Sequence, residues 1–237
     1  MIPAAGASAA VTRPQAVLFD AGFTLIHPSG RILLDELAAR GVATNAGVTA
    51  WDATRALVLA AEARHLPLPS ALSGDLKVAS MWASLMGLAG PGPVDACLRA
   101  MERADFYTDL DPDARDCLED LLGEGMRLGV VSNSGGTLRD DLATFNLLGH
   151  FEVVVDSTEA GVEKPAPQIF HAALRQLGLP GSCCWYVGDG LVNDVLATQA
   201  AGFAVSILFD RFACYAHLPG IMRIASLRDI RGMLPRS

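Results

Sequence analysis

Five short apolar runs constrain the fold more than any other feature of this chain. AVLF (16–19) stops at Asp20, RLGVVS (127–132) at NSGG, FEVVVD (151–156) at a polar loop and SCCWYV (182–187) at GDG, while FAVSIL (203–208) completes the set. Runs this short, bounded by turn formers, read as buried strands. Between them lie segments of helical period: Asp113 to Leu122, Thr137 to Phe145, Pro167 to Gln176 and Val192 to Ala201. Several are closed by a glycine such as Gly178 or Gly202, which accepts the left-handed conformation that ends a helix. Strand and helix in alternation predict a parallel sheet, with the polar corners gathered at the carboxyl ends of its strands.

The alternation fails once. From about Ser29 to Phe106 there are four helix-like segments and no convincing strand, with Trp51, Trp82 and many Ala and Leu. PLPS (67–70) and GLAGPGP (87–93) break this stretch as helix connections do. The expected architecture is therefore α/β: a parallel-sheet, Rossmann-like core formed by 15–28 and 107–237, an inserted all-helical domain over 29–106, and a loose N-terminal leader over 1–14.

Composition narrows the function. Hydrophobic residues make up 51%, yet no stretch reaches the roughly 18 apolar residues of a spanning helix, so no membrane role is expected. The leader lacks the positive start and long apolar core of a secretory signal, which leaves a cytoplasmic protein as the expectation. A formal charge of −8 and only two lysines, Lys77 and Lys164, argue against nucleic acid as a partner. The five cysteines show no CxxC or zinc-type spacing and read as reduced thiols, with Cys183 and Cys184 inside a strand. Small-molecule chemistry remains, and oligomeric state, monomer or homodimer, is left open.

Four polar clusters follow four of the predicted strands. Asp20 at a strand end could attack phosphorus, since a carboxylate nucleophile splits one hard step into two; taken alone, a strand-end acid more often caps a turn. Ser132-Asn133-Ser134 offers a hydroxyl and backbone amides to phosphoryl oxygens, or a helix cap before Thr137. Lys164, in Glu163-Lys164-Pro165, would balance the charge of a phosphate and of Asp20, or lie solvated on the surface. Gly188-Asp189-Gly190-Leu191-Val192-Asn193-Asp194 places two acids where an oxygen-ligand magnesium site needs them, or caps a helix through Asn193 or Asp194.

In this order the four clusters resemble the haloacid dehalogenase superfamily, over Ala16 to about Leu208, and the insertion after the first cluster is similar to the helical cap of one of its subgroups. The resemblance implies a magnesium-dependent phosphatase acting on a small phosphorylated metabolite. Asp20 would be the nucleophile, with the Gly22 carbonyl, Asp20 and Asp189 holding Mg²⁺. Ser132, Asn133, Lys164 and Thr24 would bind the substrate, with Ser132 and Lys164 also taking part in the chemistry. Asn193 and Asp194 would support the metal site from behind.

One position departs from the family's phosphatases. Two residues after the nucleophile they carry a second Asp as general acid and base, and here Gly22 stands in its place. Loss of a positioned proton donor forfeits about 10²- to 10⁴-fold in rate. The resemblance then implies a phosphatase restricted to acidic leaving groups or one using a substitute shuttle such as His27. Chemistry without a donor, as in the 2-haloacid dehalogenases or the phosphonate hydrolases, is the alternative. A ligand-binding or regulatory protein on the same fold is another.

Overall fold

The structure, a computed structural model, describes residues 12–45, 47–65 and 74–235. The PLPS break and most of the expected leader lie outside the described residues. Within the leader's span, Arg13 is fixed: Nη2 donates to the Glu124 carbonyl at 3.1 Å and carboxylate at 2.7 Å, and Nη1 to the Pro235 carbonyl at 3.2 Å.

In chain order the first elements are β1 (Ala16–Phe19), β2 (Ile26–Pro28), α1 (Gly30–Ala39), α2 (Ala50–Ala61), α3 (Gly74–Leu85), α4 (Pro91–Glu102) and β3 (Tyr107–Leu110). There follow α5 (Ala114–Gly123), β4 (Arg127–Ser132), α6 (Leu138–Thr144), β5 (Val153–Asp156), α7 (Ser157–Ala160) and α8 (Pro167–Leu177). The chain closes with β6 (Cys184–Gly188), α9 (Ala197–Ala200), β7 (Val205–Phe209), β8 (Arg223–Ile224) and α10 (Asp229–Met233). It divides into two compact units, 26–109 and the segments before and after it.

The split unit holds a six-stranded sheet in the order β5-β4-β1-β6-β7-β8, every neighbouring pair parallel. From central β1 the chain moves outward to β4 and β5, then returns to the other side of β1 through β6. That reversal opens a crevice at the carboxyl ends of β1 and β6, the usual binding place of such a sheet. All four residues of β1 are buried, so a sheet covered on both faces explains why its strands read as unbroken apolar runs. Phe170 of α8 packs edge-on against Tyr186 of β6 at 5.3 Å, and both meet Phe203.

The parallel α/β reading holds, with shifts in detail. SCCWYV begins its strand only at Cys184, because Cys183 closes a 3₁₀ turn over Gly181–Cys183. FEVVVD and FAVSIL become Val153–Asp156 and Val205–Phe209. The sixth strand, β8, has two residues and no pattern that a sequence could reveal. The five cysteines are free thiols, and burial pushes Cys97 and Cys117 up to about 12 and Cys184 to about 11, far from a reactive thiolate.

The helix expected from Val192 to Ala201 begins instead as a π-helical turn over Leu191–Leu196 and becomes α9 only at Ala197. The Gly190 carbonyl accepts from both Asp194 N at 3.0 Å and Val195 N at 3.1 Å, which widens the turn.

In the second unit α1 to α4 pack on one another, and β2 pairs with β3. Residues 26–28 and 107–109, expected in the core, thus belong here, and the unit carries a two-stranded ribbon rather than being all-helical. Trp82 is fully buried with its Nε1 donating to the Ala53 carbonyl at 2.8 Å, whereas Trp51 is 49% exposed. Among the described residues no helix is long and apolar enough to cross a membrane.

At the α1–α2 crossing Gly30 N donates to Thr54 Oγ1 at 3.1 Å, and a Cβ on Gly30 would overlap the Ala50 carbonyl and stand 2.7 Å from Thr54 Oγ1. Gly30→Ala is therefore expected to destabilise this unit by about 1–3 kcal/mol, the range for forced overpacking. Chemical denaturation checks this, and an unchanged midpoint would mean that the helices part there freely.

Candidate active site

Asp20 leaves the central strand at the mouth of the crevice. Its N–H still bonds the Val187 carbonyl of β6 at 2.9 Å, and Ala21 N donates to its Oδ1 at 2.7 Å. Two neighbouring strand ends flank it: Ser132, buried at the end of β4, hydrogen-bonds the Asp20 carboxylate, and Gly188-Asp189 follows β6.

Lys164 is no surface residue. It is 3% exposed, with Nζ 2.9 Å from Asp20 Oδ1, 2.7 Å from Asp194 Oδ1 and 3.5 Å from the Tyr186 hydroxyl. An ammonium has three N–H groups, and here each has a protein acceptor. Lys164 is thereby an electrostatic keystone more than a hydrogen-bond donor to a ligand. Burial alone would lower its pKa, but the Asp194 and Asp20 charges outweigh burial and the net shift is upward. Burial pushes the Asp20 carboxyl up, Lys164 pulls it back and Asp194 raises it again, for a value of about 6.

Asn133 meets the backbone of Lys164. Its Oδ1 accepts from Lys164 N at 2.7 Å and its Nδ2 donates to the Lys164 carbonyl at 2.9 Å, so it clamps the backbone that carries the ammonium. The Thr24 hydroxyl, fully buried, donates to Asp189 Oδ1 at 3.3 Å. Gly22 lies half-buried in the turn after Asp20 and offers no side chain. His27 is buried in β2, within the other unit.

Asp194 stands close to both of the other acids. Its Oδ2 accepts from Gly190 N at 2.8 Å, and a side chain on Gly188 would overlap its carboxylate. Ligand oxygens of Asp20, Asp189 and Asp194 all lie within 4.8 Å of one another. One ammonium among three carboxylates leaves an excess of negative charge, and the buried Asn193 Oδ1 has no hydrogen-bond partner. An oxygen-only donor set with unbalanced negative charge fits a hard divalent cation such as Mg²⁺.

The turn after Asp20 carries strain. Leu25 N bonds the Ala21 carbonyl at 2.8 Å, and Phe23, between them, has φ of +58°. A left-handed backbone costs a residue with a Cβ about 1–2 kcal/mol.

The match to known proteins follows this geometry. Residues 14–202 match the family model described as haloacid dehalogenase-like hydrolase. The chain belongs to the haloacid dehalogenase-like hydrolase family. It is 36% identical over 106 residues to haloacid dehalogenase-like hydrolase domain-containing protein 3 of Danio rerio, covering 45% of this chain and 44% of that protein. It is 35% identical over 99 residues to the glyceraldehyde 3-phosphate phosphatase of Methanothermobacter thermautotrophicus, covering 41% and 43%. The matched part is thus less than half the length of either relative. In fold it is similar to a haloacid dehalogenase-type phosphatase from Thermococcus onnurineus, with a TM-score of 0.59 and 22% identity over 92% of this chain and 97% of that one.

One residue that organises this family site escaped the sequence reading. Asp156, the last residue of β5, is buried and accepts from Ser134 Oγ at 2.5 Å, Leu138 N at 3.3 Å and Thr158 N at 2.8 Å. Ser157 Oγ accepts from Ser134 N at 3.1 Å, and Thr158 Oγ1 donates to the Ser134 carbonyl at 2.7 Å. Ser134 is thus held by backbone and side chain, which fixes the corner after Ser132. The only sequence signal was an acid closing an apolar run.

Removing the keystone has a calculable consequence. Lys164→Met leaves Asp20 and Asp194 buried without their cation, and an expected loss of about 3–5 kcal/mol in unfolding free energy at neutral pH follows. Denaturant titration measures it, and a loss below about 1 kcal/mol, the level of an exposed pair, would deny the keystone role.

Proposed function

We propose that this chain is a phosphatase that hydrolyses a small phosphorylated metabolite through a covalent aspartyl-phosphate on Asp20, with Mg²⁺ as cofactor. The buried Asp20–Lys164–Asp194 linkage beside Asp189, at the carboxyl end of the central strand, carries this reading. The phosphatase named among its relatives supports it.

Asp20 Oδ1 is engaged by Ala21 N–H and Lys164, which orients the carboxylate for attack. Lys164 holds the carboxylate in place and lowers the charge that the incoming phosphoryl group meets. The Ser132 hydroxyl and the backbone amides of its corner receive the phosphoryl oxygens, while Asn133 and Asp156 keep that corner and Lys164 in register. Asp20, Asp189 and the Gly22 carbonyl would hold Mg²⁺, with Asp194 and Asn193 beside them, and the ion would supply charge neutralisation at the phosphoryl oxygens. In this reading the helical unit is the cap and carries the choice of substrate, and the protein works in the cytoplasm.

Gly22 shapes what such a site can hydrolyse. No side chain there protonates the departing oxygen, so the leaving group departs as its anion. With a panel of phosphate esters and Mg²⁺, kcat/KM should rise steeply with leaving-group acidity, poor leaving groups falling about 10²- to 10⁴-fold behind. A flat dependence in the native protein that steepens in His27→Gln would assign the proton to His27 instead. Halide release from a 2-haloacid without metal would favour dehalogenation, and the absence of turnover of any ester would favour a binding protein.

Two variants complete the test. Asp20→Asn should abolish ester hydrolysis, and retained activity would remove Asp20 as nucleophile. Gly22→Asp should raise turnover of esters with poor leaving groups, whereas a loss would mean that the turn has been reshaped around glycine.

A further inference from the structure

Tyr186 of β6 is fully buried, and its ring is held edge-on by Phe170 at 5.3 Å and Phe203 at 5.8 Å. Its hydroxyl is thereby fixed in place, 3.0 Å from the Val131 carbonyl and 3.5 Å from Lys164 Nζ. The direction of both contacts is forced. A carbonyl only accepts and an ammonium only donates, so the single O–H points at Val131 and a lone pair meets Lys164. Burial, with the Asp194 and Asp20 charges, pushes the phenol above its ordinary pKa, which keeps that proton in place. In the sheet β4 and β6 are not neighbours, since β1 runs between them. One hydroxyl thus reaches across the central strand and ties the peptide that leads into Ser132 to the ammonium that pairs with Asp20.

We infer that Tyr186 is a positioning residue: its hydroxyl fixes Lys164 Nζ relative to Ser132, so that both meet the transferring phosphoryl group in one arrangement. The inference rests on the phosphatase reading and adds a residue to it. The contacts of 2.9 Å to Asp20 and 2.7 Å to Asp194 supply most of what holds the ammonium. The hydroxyl contact is the longest of the three, so it contributes direction more than strength. It gives the third N–H an acceptor where water has no access. Without it that N–H would be left unsatisfied and would turn toward one of the two carboxylates, drawing Nζ from its place between them. Asn133 holds Lys164 at its backbone, and Tyr186 steadies the other end of the same residue.

Tyr186→Phe tests this, because it removes the hydroxyl and keeps a ring against Phe170 and Phe203. With 4-nitrophenyl phosphate and Mg²⁺, kcat should fall about tenfold while KM stays within about twofold, the rate equivalent of a weak hydrogen bond to a charged group. Calorimetric titration with inorganic phosphate and Mg²⁺ should give the same number of sites per chain and the same affinity in both proteins. An unchanged kcat overturns the role of Tyr186 and leaves the phosphatase reading intact. A fall in kcat matched by an equal fall in phosphate sites overturns it as well, since the loss would then lie in folding rather than in the placing of Lys164. A native protein that hydrolyses no ester overturns both.

Discussion

A single ammonium buried among carboxylates sets the terms for the rest of this structure. Lys164 meets Asp20 and Asp194 away from bulk water, where an unpaired charge is severely penalised and a paired one demands good geometry. The surroundings supply that geometry. Asn133 fixes the lysine backbone from both sides, Gly190 N–H holds the far oxygen of Asp194, and Gly188 leaves room for that carboxylate because it has no side chain. The residues that make the site chemically useful are thus also the ones that make it electrostatically tolerable.

Topology explains how residues so far apart reach one another. Because β1 is central and its neighbours are β4 and β6, the first residue beyond it faces the ends of two strands that come more than a hundred residues later. Parallel register then puts every corner at the same edge of the sheet. Asp156, at the end of β5, reaches only as far as the β4 corner, so it organises the site from behind rather than entering it.

Much of this was legible in the sequence, for a physical reason. A sheet buried on both faces writes its strands as unbroken apolar runs, and its chemistry follows those runs directly, so Asp20, Ser132 and Asp189 could be placed without coordinates. Lys164 was legible as a candidate but not as a buried one, since nothing local distinguishes a turn lysine in water from one between two acids. The contacts of Asn133 with Lys164 and of Thr24 with Asp189 were not legible, because such pairings depend on distances across the fold. The ribbon in the helical unit escaped because strands of three and four residues carry no clear periodicity. Asp156 escaped because two of its three partners, Ser134 and Leu138, come from a segment that only folding brings to it.

The widened turn after Gly190 has a consequence for rotational phase. In an α-helix each residue advances about 100° around the axis. The π-helical turn over Leu191–Leu196 accommodates one residue more than an α-turn would, so α9 starts with its faces rotated relative to the segment that holds Asp194. That offset lets the Asp194 side chain face Lys164 while Thr198, four residues on, remains buried with its hydroxyl at 2.5 Å from the Asp194 carbonyl and 2.7 Å from Ser206 Oγ. Loss of a single residue from this turn would put the acid and the packing face out of phase, so that satisfying one would misdirect the other.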